Sequence, residues 1–167
     1  LLQHFRSSIT LPDRNDTGQV VTAGRTTGYL YTPSNLSSSV PAVCMIPGLG
    51  ADADSMDRLA RRMAQEGLVT LLIDLTEESH TYPDILAILP ACLSWLSKRP
   101  EVDPQRLGAL GYDLGGDLVI RAASADKQIK AIAALAPILV DAPPSLDLLR
   151  EMPYLQALRW SRDRQRA

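Results

Sequence analysis

Arg106-Leu107-Gly108-Ala109-Leu110-Gly111-Tyr112-Asp113-Leu114-Gly115-Gly116 is the stretch on which the reading of this chain turns. Its first half is a short apolar run that suits a strand. Its second half opens a helix expected over residues 114–124. Between them, Gly111 and Gly115 flank Asp113 at a spacing that predicts a tight strand-to-helix turn. Small residues are needed at both flanks, because only they let strand and helix pass closely. The side chain at the tip then projects above the carboxyl edge of a sheet. It also stands over a helix N-terminus, where free N–H groups and the helix dipole favour negative charge.

Outward from this turn, apolar runs and helical spacings alternate. Ala42–Ile46 (AVCMI), residues 69–75 (VTLLIDL) and Lys130–Leu135 (KAIAAL) are continuous apolar runs, as expected of strands buried on both faces. Gly28–Thr32 (GYLYT) reads as a strand closed by Pro33, and residues 20–22 and 5–10 as edge strands. Met56, Leu59, Ala60, Met63 and Ala64 recur at helical spacing over residues 56–66, with Asp54 or Ser55 as cap and Gly67 as stop. Residues 83–97 form a helix opened by Pro83 and kinked at Pro90. The strand–helix alternation predicts one α/β domain over residues 1–167, a mostly parallel sheet with helices on both faces. Residues 145–160 read as a helical segment broken at Pro153.

The bulk properties exclude more than they specify. A formal net charge of -2 gives no pull toward nucleic acid or an anionic membrane, and no apolar run approaches the length of a spanning helix. Cys44 and Cys92 both lie in apolar runs and read as buried thiols in a reducing, cytoplasmic setting; their spacing supports neither a disulfide nor a metal site. No cofactor motif is present. The arginines 159, 162, 164 and 166 suit a helix C-terminus better than a nucleic-acid stripe.

The Gly-Tyr-Asp-Leu-Gly-Gly turn resembles the nucleophile elbow of the α/β-hydrolase superfamily, and within it the dienelactone-hydrolase-like branch, whose elbows read Gly-Tyr-Cys-x-Gly-Gly or Gly-x-Ser-x-Gly-Gly. Residues 102–108 (VDPQRLG) resemble the approach to that elbow. Residues 46–50 (IPGLG) are similar to the family's His-Gly oxyanion loop, with Pro47 in place of the histidine. The resemblance spans residues 28–137. It implies a three-layer α/β/α sandwich of α/β-hydrolase type, with spatial strand order VTLLIDL, AVCMI, RLGAL, KAIAAL and GYLYT antiparallel beside VTLLIDL. It also implies oxyanion-hole N–H groups from Leu49 and Leu114. The chain ends after the fourth parallel strand and one helical segment, so we expect a C-terminally truncated sheet lacking the family's last two strands.

Two departures bear on chemistry. The tip residue is Asp113 rather than Ser or Cys, and no histidine follows His80. A carboxylate can displace a leaving group from a saturated carbon, but its attack on an ester carbonyl gives a high-energy mixed anhydride. Asp113 therefore carries two readings: a residue in the nucleophile position, or an N-cap accepting N–H bonds from the following helix, which is the plainer of the two. His80, in the connection after VTLLIDL, is a weak base candidate against a solvated loop histidine. Asp141 lies where an acid orients a histidine in some family members. The expectation is a dienelactone-hydrolase-like hydrolase with an incomplete triad in this chain. The alternative is a non-catalytic binding or structural module. A small molecule would bind at the carboxyl edge, and the exposed edge of KAIAAL would favour a homo-oligomer.

Overall fold

A computed structural model describes residues 18–23, 26–48, 53–74, 82–137 and 139. The described elements run β1 (Gly18–Ala23), β2 (Thr26–Tyr31), β3 (Val40–Ile46), α1 (Ala53–Gln65), β4 (Val69–Asp74), α2 (Tyr82–Leu96), β5 (Val102–Tyr112), α3 (Leu114–Ala125) and β6 (Ile129–Leu135). They build a six-stranded sheet of order β1-β2-β4-β3-β5-β6. The pairs β3–β4, β3–β5 and β5–β6 are parallel, while β2 runs antiparallel to both β1 and β4. The expected strand order is the observed one. The stretch at residues 5–10 lies outside the described residues, as do residues 145–160.

The two faces follow from strand alternation. On β3, Ala42, Cys44 and Ile46 point to one face, where Leu89, Cys92, Leu93 and Leu96 of α2 and Leu114, Leu118 and Val119 of α3 complete a core. Met45 points to the other face and joins Leu72, Leu110 and Tyr31 beneath Met56, Ala60 and Ala64 of α1. Met56, Ala60 and Ala64 recur every fourth residue, so one stripe of α1 is buried. This is the three-layer arrangement expected. Both faces of β3 and β4 are covered, which is why their sequences are continuous apolar runs.

α2 runs over Tyr82–Leu96 with Pro90 inside it, close to the expected 83–97, and Leu89, Leu93 and Leu96 are buried in the core on both sides of the proline. Two local expectations change. α1 begins at Ala53, which places Asp54 and Ser55 inside its first turn rather than before it. β5 begins four residues earlier than RLGAL suggested, at Val102. There the pairing with β3 shifts register between Val40 and Ala42. Asp103 accepts the Gln105 N–H at 2.9 Å and pairs with Arg106 at 2.6 Å. These contacts, the backbone one foremost, hold the Asp103 carboxyl below its ordinary pKa. Arg106 also donates to the Ser39 carbonyl at 3.2 Å, joining the irregular start of β5 to the loop before β3. Among the described residues no helix is long and apolar enough to cross a membrane.

Candidate functional site

The parallel strands β3, β5 and β6 all end on one edge of the sheet, and the turn from β5 to α3 sits there. Asp113 occupies its tip with φ 57° and ψ -121°. That lies in the left-handed half of backbone space but far from the left-handed helical well. The conformation is held from both sides. The Asp113 N–H donates to the Leu135 carbonyl at the end of β6, at 2.9 Å, and the Gly116 N–H returns to the Asp113 carbonyl at 3.0 Å.

The glycines show how tightly the turn is packed. A Cβ on Gly111 would lie 1.9 Å from the Gly115 oxygen, and one on Gly115 would lie 2.5 Å from the Ile46 oxygen. Both are impossible contacts, so strand, helix and the end of β3 meet backbone to backbone. Gly111 and Gly115 thus stand where the spacing placed them, for the expected reason. Gly48 is a third such position. Its Cβ would lie 2.2 Å from the Tyr112 oxygen and 2.3 Å from the Asp113 Cβ. The loop after β3 therefore presses directly on the elbow tip. IPGLG carried that signal, but only as a likeness.

The cap reading of Asp113 does not hold. Asp113 is the residue before α3, yet its side chain makes no cap hydrogen bond. A cap needs its own backbone in the β region, so that the carboxylate turns back onto the N–H groups of the first turn. At φ 57° the side chain is directed differently. Asp113 is buried to 9% exposure, while Tyr112 beside it is 37% exposed.

Leu114 is the first residue of α3, so its N–H has no acceptor within the helix. It stands where an oxyanion donor is expected. Leu49, His80 and Asp141 lie outside the described residues. Of the predicted site residues, the structure brings together Gly111, Asp113, Leu114 and Gly115. Asp117 was missed. It is 2% exposed in the first turn of α3 and pairs with Arg121 at 2.7 Å. The i,i+4 spacing of an acid and an arginine at a helix start was the available signal. Among the described residues no cluster of side chains could hold a metal ion.

Comparison with known proteins agrees with this geometry. Residues 10–143 match the family model of PET hydrolase-like proteins. The chain is 30% identical over 146 residues to the bis(hydroxyethyl) terephthalate hydrolase of Streptomyces coelicolor, covering 84% of this chain and 46% of that protein. It is 28% identical over 137 residues to the esterase FrsA of Yersinia pestis, covering 78% of this chain and 33% of the esterase. The chain thus spans less than half the length of these curated relatives. Among solved structures, a dienelactone hydrolase-like promiscuous phosphotriesterase from metagenomic libraries matches with TM-score 0.62 and 20% identity, over 80% of this chain and 64% of that one. Est1E from Butyrivibrio proteoclasticus matches with TM-score 0.61 and 23% identity, over 73% of this chain and 51% of that one. At these identities the structural likeness establishes the α/β-hydrolase fold.

Proposed function

We propose that this chain, which belongs to the PET hydrolase-like family, is a hydrolase-type protein that receives a small ester-like molecule at the carboxyl edge of its sheet, over the Asp113 elbow. The observation that carries this reading is the backbone of Asp113, held at φ 57° and ψ -121° at the head of α3. Strain kept at a ligand-facing edge points to a working site. The Leu114 N–H at the start of α3 supplies a donor for a developing oxyanion, and a backbone donor survives any change at the tip.

The tip chemistry departs from the acyl-transfer route. An Asp113 carboxylate attacking an ester carbonyl would form a mixed anhydride, and no histidine after His80 is present to assist its breakdown. The chain as it stands is therefore expected to bind such esters and to turn over small activated ones at close to the background rate. Titration with bis(hydroxyethyl) terephthalate tests the site, with saturable shifts expected at the amides of residues 111–116. No binding, or binding that leaves those amides unmoved, overturns the reading. A p-nitrophenyl acetate assay tests the chemistry. Turnover well above background that vanishes in Asp113→Ala would make Asp113 a working nucleophile. Binding with turnover at background is the expected result, an outcome the non-catalytic module shares.

A further inference from the structure

Among the described residues, two that are not glycine have positive φ: Asp113 at 57° and Ala136 at 45°. They are far apart in sequence, yet the fold ties one to the other. Leu135, the residue before Ala136, accepts the Asp113 N–H at 2.9 Å. Pro137, the residue after it, lies against the head of α3: a Cβ on Gly116 would stand 2.9 Å from the Pro137 Cβ and 3.1 Å from its Cα. Gly116, the second glycine of the elbow's pair, thus leaves the space that the proline ring takes. We propose that Leu135-Ala136-Pro137 is a corner that sets the direction of the Leu114 N–H, with Ala136 as its positioning residue. The inference rests on the reading of Leu114 as the oxyanion donor.

The connection runs through peptide planes. The Leu114 N–H and the Asp113 carbonyl belong to one planar peptide unit, so fixing the carbonyl fixes the donor. The Gly116 N–H holds that carbonyl at 3.0 Å, and Pro137 packs on Gly116. From the other side, the Leu135 carbonyl holds the Asp113 N–H. Asp113 therefore sits between two anchors, and both depend on the same corner.

Ala136 has to serve both anchors at once. Its φ sets the course of the chain into Pro137 relative to the peptide plane that carries the Leu135 carbonyl. An L-residue resists positive φ, and a residue before proline is pushed toward extended backbone, so 45° is unfavourable on both counts. At an ordinary negative φ, either the Leu135 carbonyl would turn away from Asp113 or Pro137 would leave Gly116. Ala136 is exposed, so burial of its methyl does not account for the strain. What the strain secures is the pair of contacts to the elbow.

The experiment compares amide hydrogen exchange and the bis(hydroxyethyl) terephthalate titration in wild type, Ala136→Gly and Ala136→Val. Glycine takes positive φ freely, whereas β-branched valine resists it strongly. Ala136→Val is expected to speed exchange at the Asp113 and Gly116 amides by about tenfold or more, with the amides of β4 unchanged. It should also weaken the titration by about tenfold and remove the shift at the Leu114 amide. Ala136→Gly should match wild type at those amides and melt at a higher temperature, because the same backbone is reached without strain. Exchange at Asp113 and Gly116 as slow in Ala136→Val as in wild type would overturn the proposal. So would Ala136→Gly that loosens those amides or melts lower, or an equal titration in all three proteins. If Ala136→Val fails to fold, the melt and the two amides of Ala136→Gly decide. If wild type does not bind the ester at all, the reading of the site falls, and the exchange comparison judges the corner by itself.

Discussion

Asp113 holds a backbone conformation that costs an L-residue on the order of 1–3 kcal/mol, and its side chain returns no cap bond to α3. Glycine occupies positive φ without that cost, though it loses more entropy on folding. Asp113→Gly is therefore expected to raise stability by about 1 kcal/mol, read as an upward shift in a thermal melt. Asp113→Ala keeps a side chain at the same torsion angles and is expected to show none of that gain. A clear loss in both variants would restore the cap. Gly111→Ala should behave in the opposite sense. Its methyl would meet the Gly115 carbonyl oxygen at 1.9 Å, a backbone atom that cannot turn aside, and the cost should be about 3 kcal/mol or more. Urea titration checks it, and a Gly111→Ala protein of unchanged midpoint would show that the turn is not packed as described. At this scale the sequence revealed the glycines and the tip, because steric need leaves a spacing. It did not reveal the role of the Asp113 side chain, because aspartate is common at caps and only the torsion angles separate a cap from an elbow. Gly48 and Asp117 escaped for a related reason. Their importance lies in contacts with segments distant in sequence or hidden within a helix turn.

Among the elements, the strands were legible where both faces are buried. AVCMI is apolar at every position and VTLLID at all but two, and each became a strand at close to its expected ends. The first half of β5 was not legible, since Asp103, Pro104, Gln105 and Arg106 pair irregularly along exposed backbone. Polar links between elements also leave no periodic trace. The clearest joins β2 to α1. The Tyr31 hydroxyl donates to Asp57, Arg61 donates to the same carboxylate at 2.6 Å and 3.2 Å, and its guanidinium lies 5.3 Å from the Tyr31 ring centre. Burial first, then the hydrogen bond to Asp57 and the charge of Asp57, raise the Tyr31 pKa well above its ordinary value of 10.0. The folded protein thus keeps the phenolic proton that the unfolded chain releases. Stability from this group is complete below pH 10 and falls as pH rises from there toward the folded value. Tyr31→Phe should cost about 1 kcal/mol at neutral pH and should flatten the loss of stability above pH 10. Urea midpoints measured across that range for both proteins check it. An equal alkaline slope in Tyr31→Phe would assign the effect to other groups.

At the scale of the whole molecule, β6 is the outermost strand of the sheet among the described residues. Among the described residues it pairs with β5 alone, and Ile132 and Leu135 are 44% and 42% exposed. An apolar edge with open backbone donors and acceptors is a template for another strand. A second copy of the chain meets it best by two-fold symmetry, which sets β6 antiparallel to itself. With the axis at Ile132, the middle of Ile129–Leu135, Ile132 faces its own counterpart. Lys130, the one charged residue of the strand, then faces Ala134 rather than another lysine. The pairing therefore joins apolar side chains and opposes no like charges. Concentration-dependent self-association is the expected outcome, read by sedimentation velocity from dilute to concentrated protein. Ile132→Lys should abolish it by setting two cations directly opposite each other across the axis, a destabilising cross-strand pair. Because Ile132 is exposed, the same substitution should change monomer stability by no more than about 0.5 kcal/mol, so loss of association would not be mistaken for loss of the fold. A wild-type chain that stays monomeric at high concentration, or an Ile132→Lys chain that associates as strongly as wild type, would show that β6 is not the surface through which copies meet.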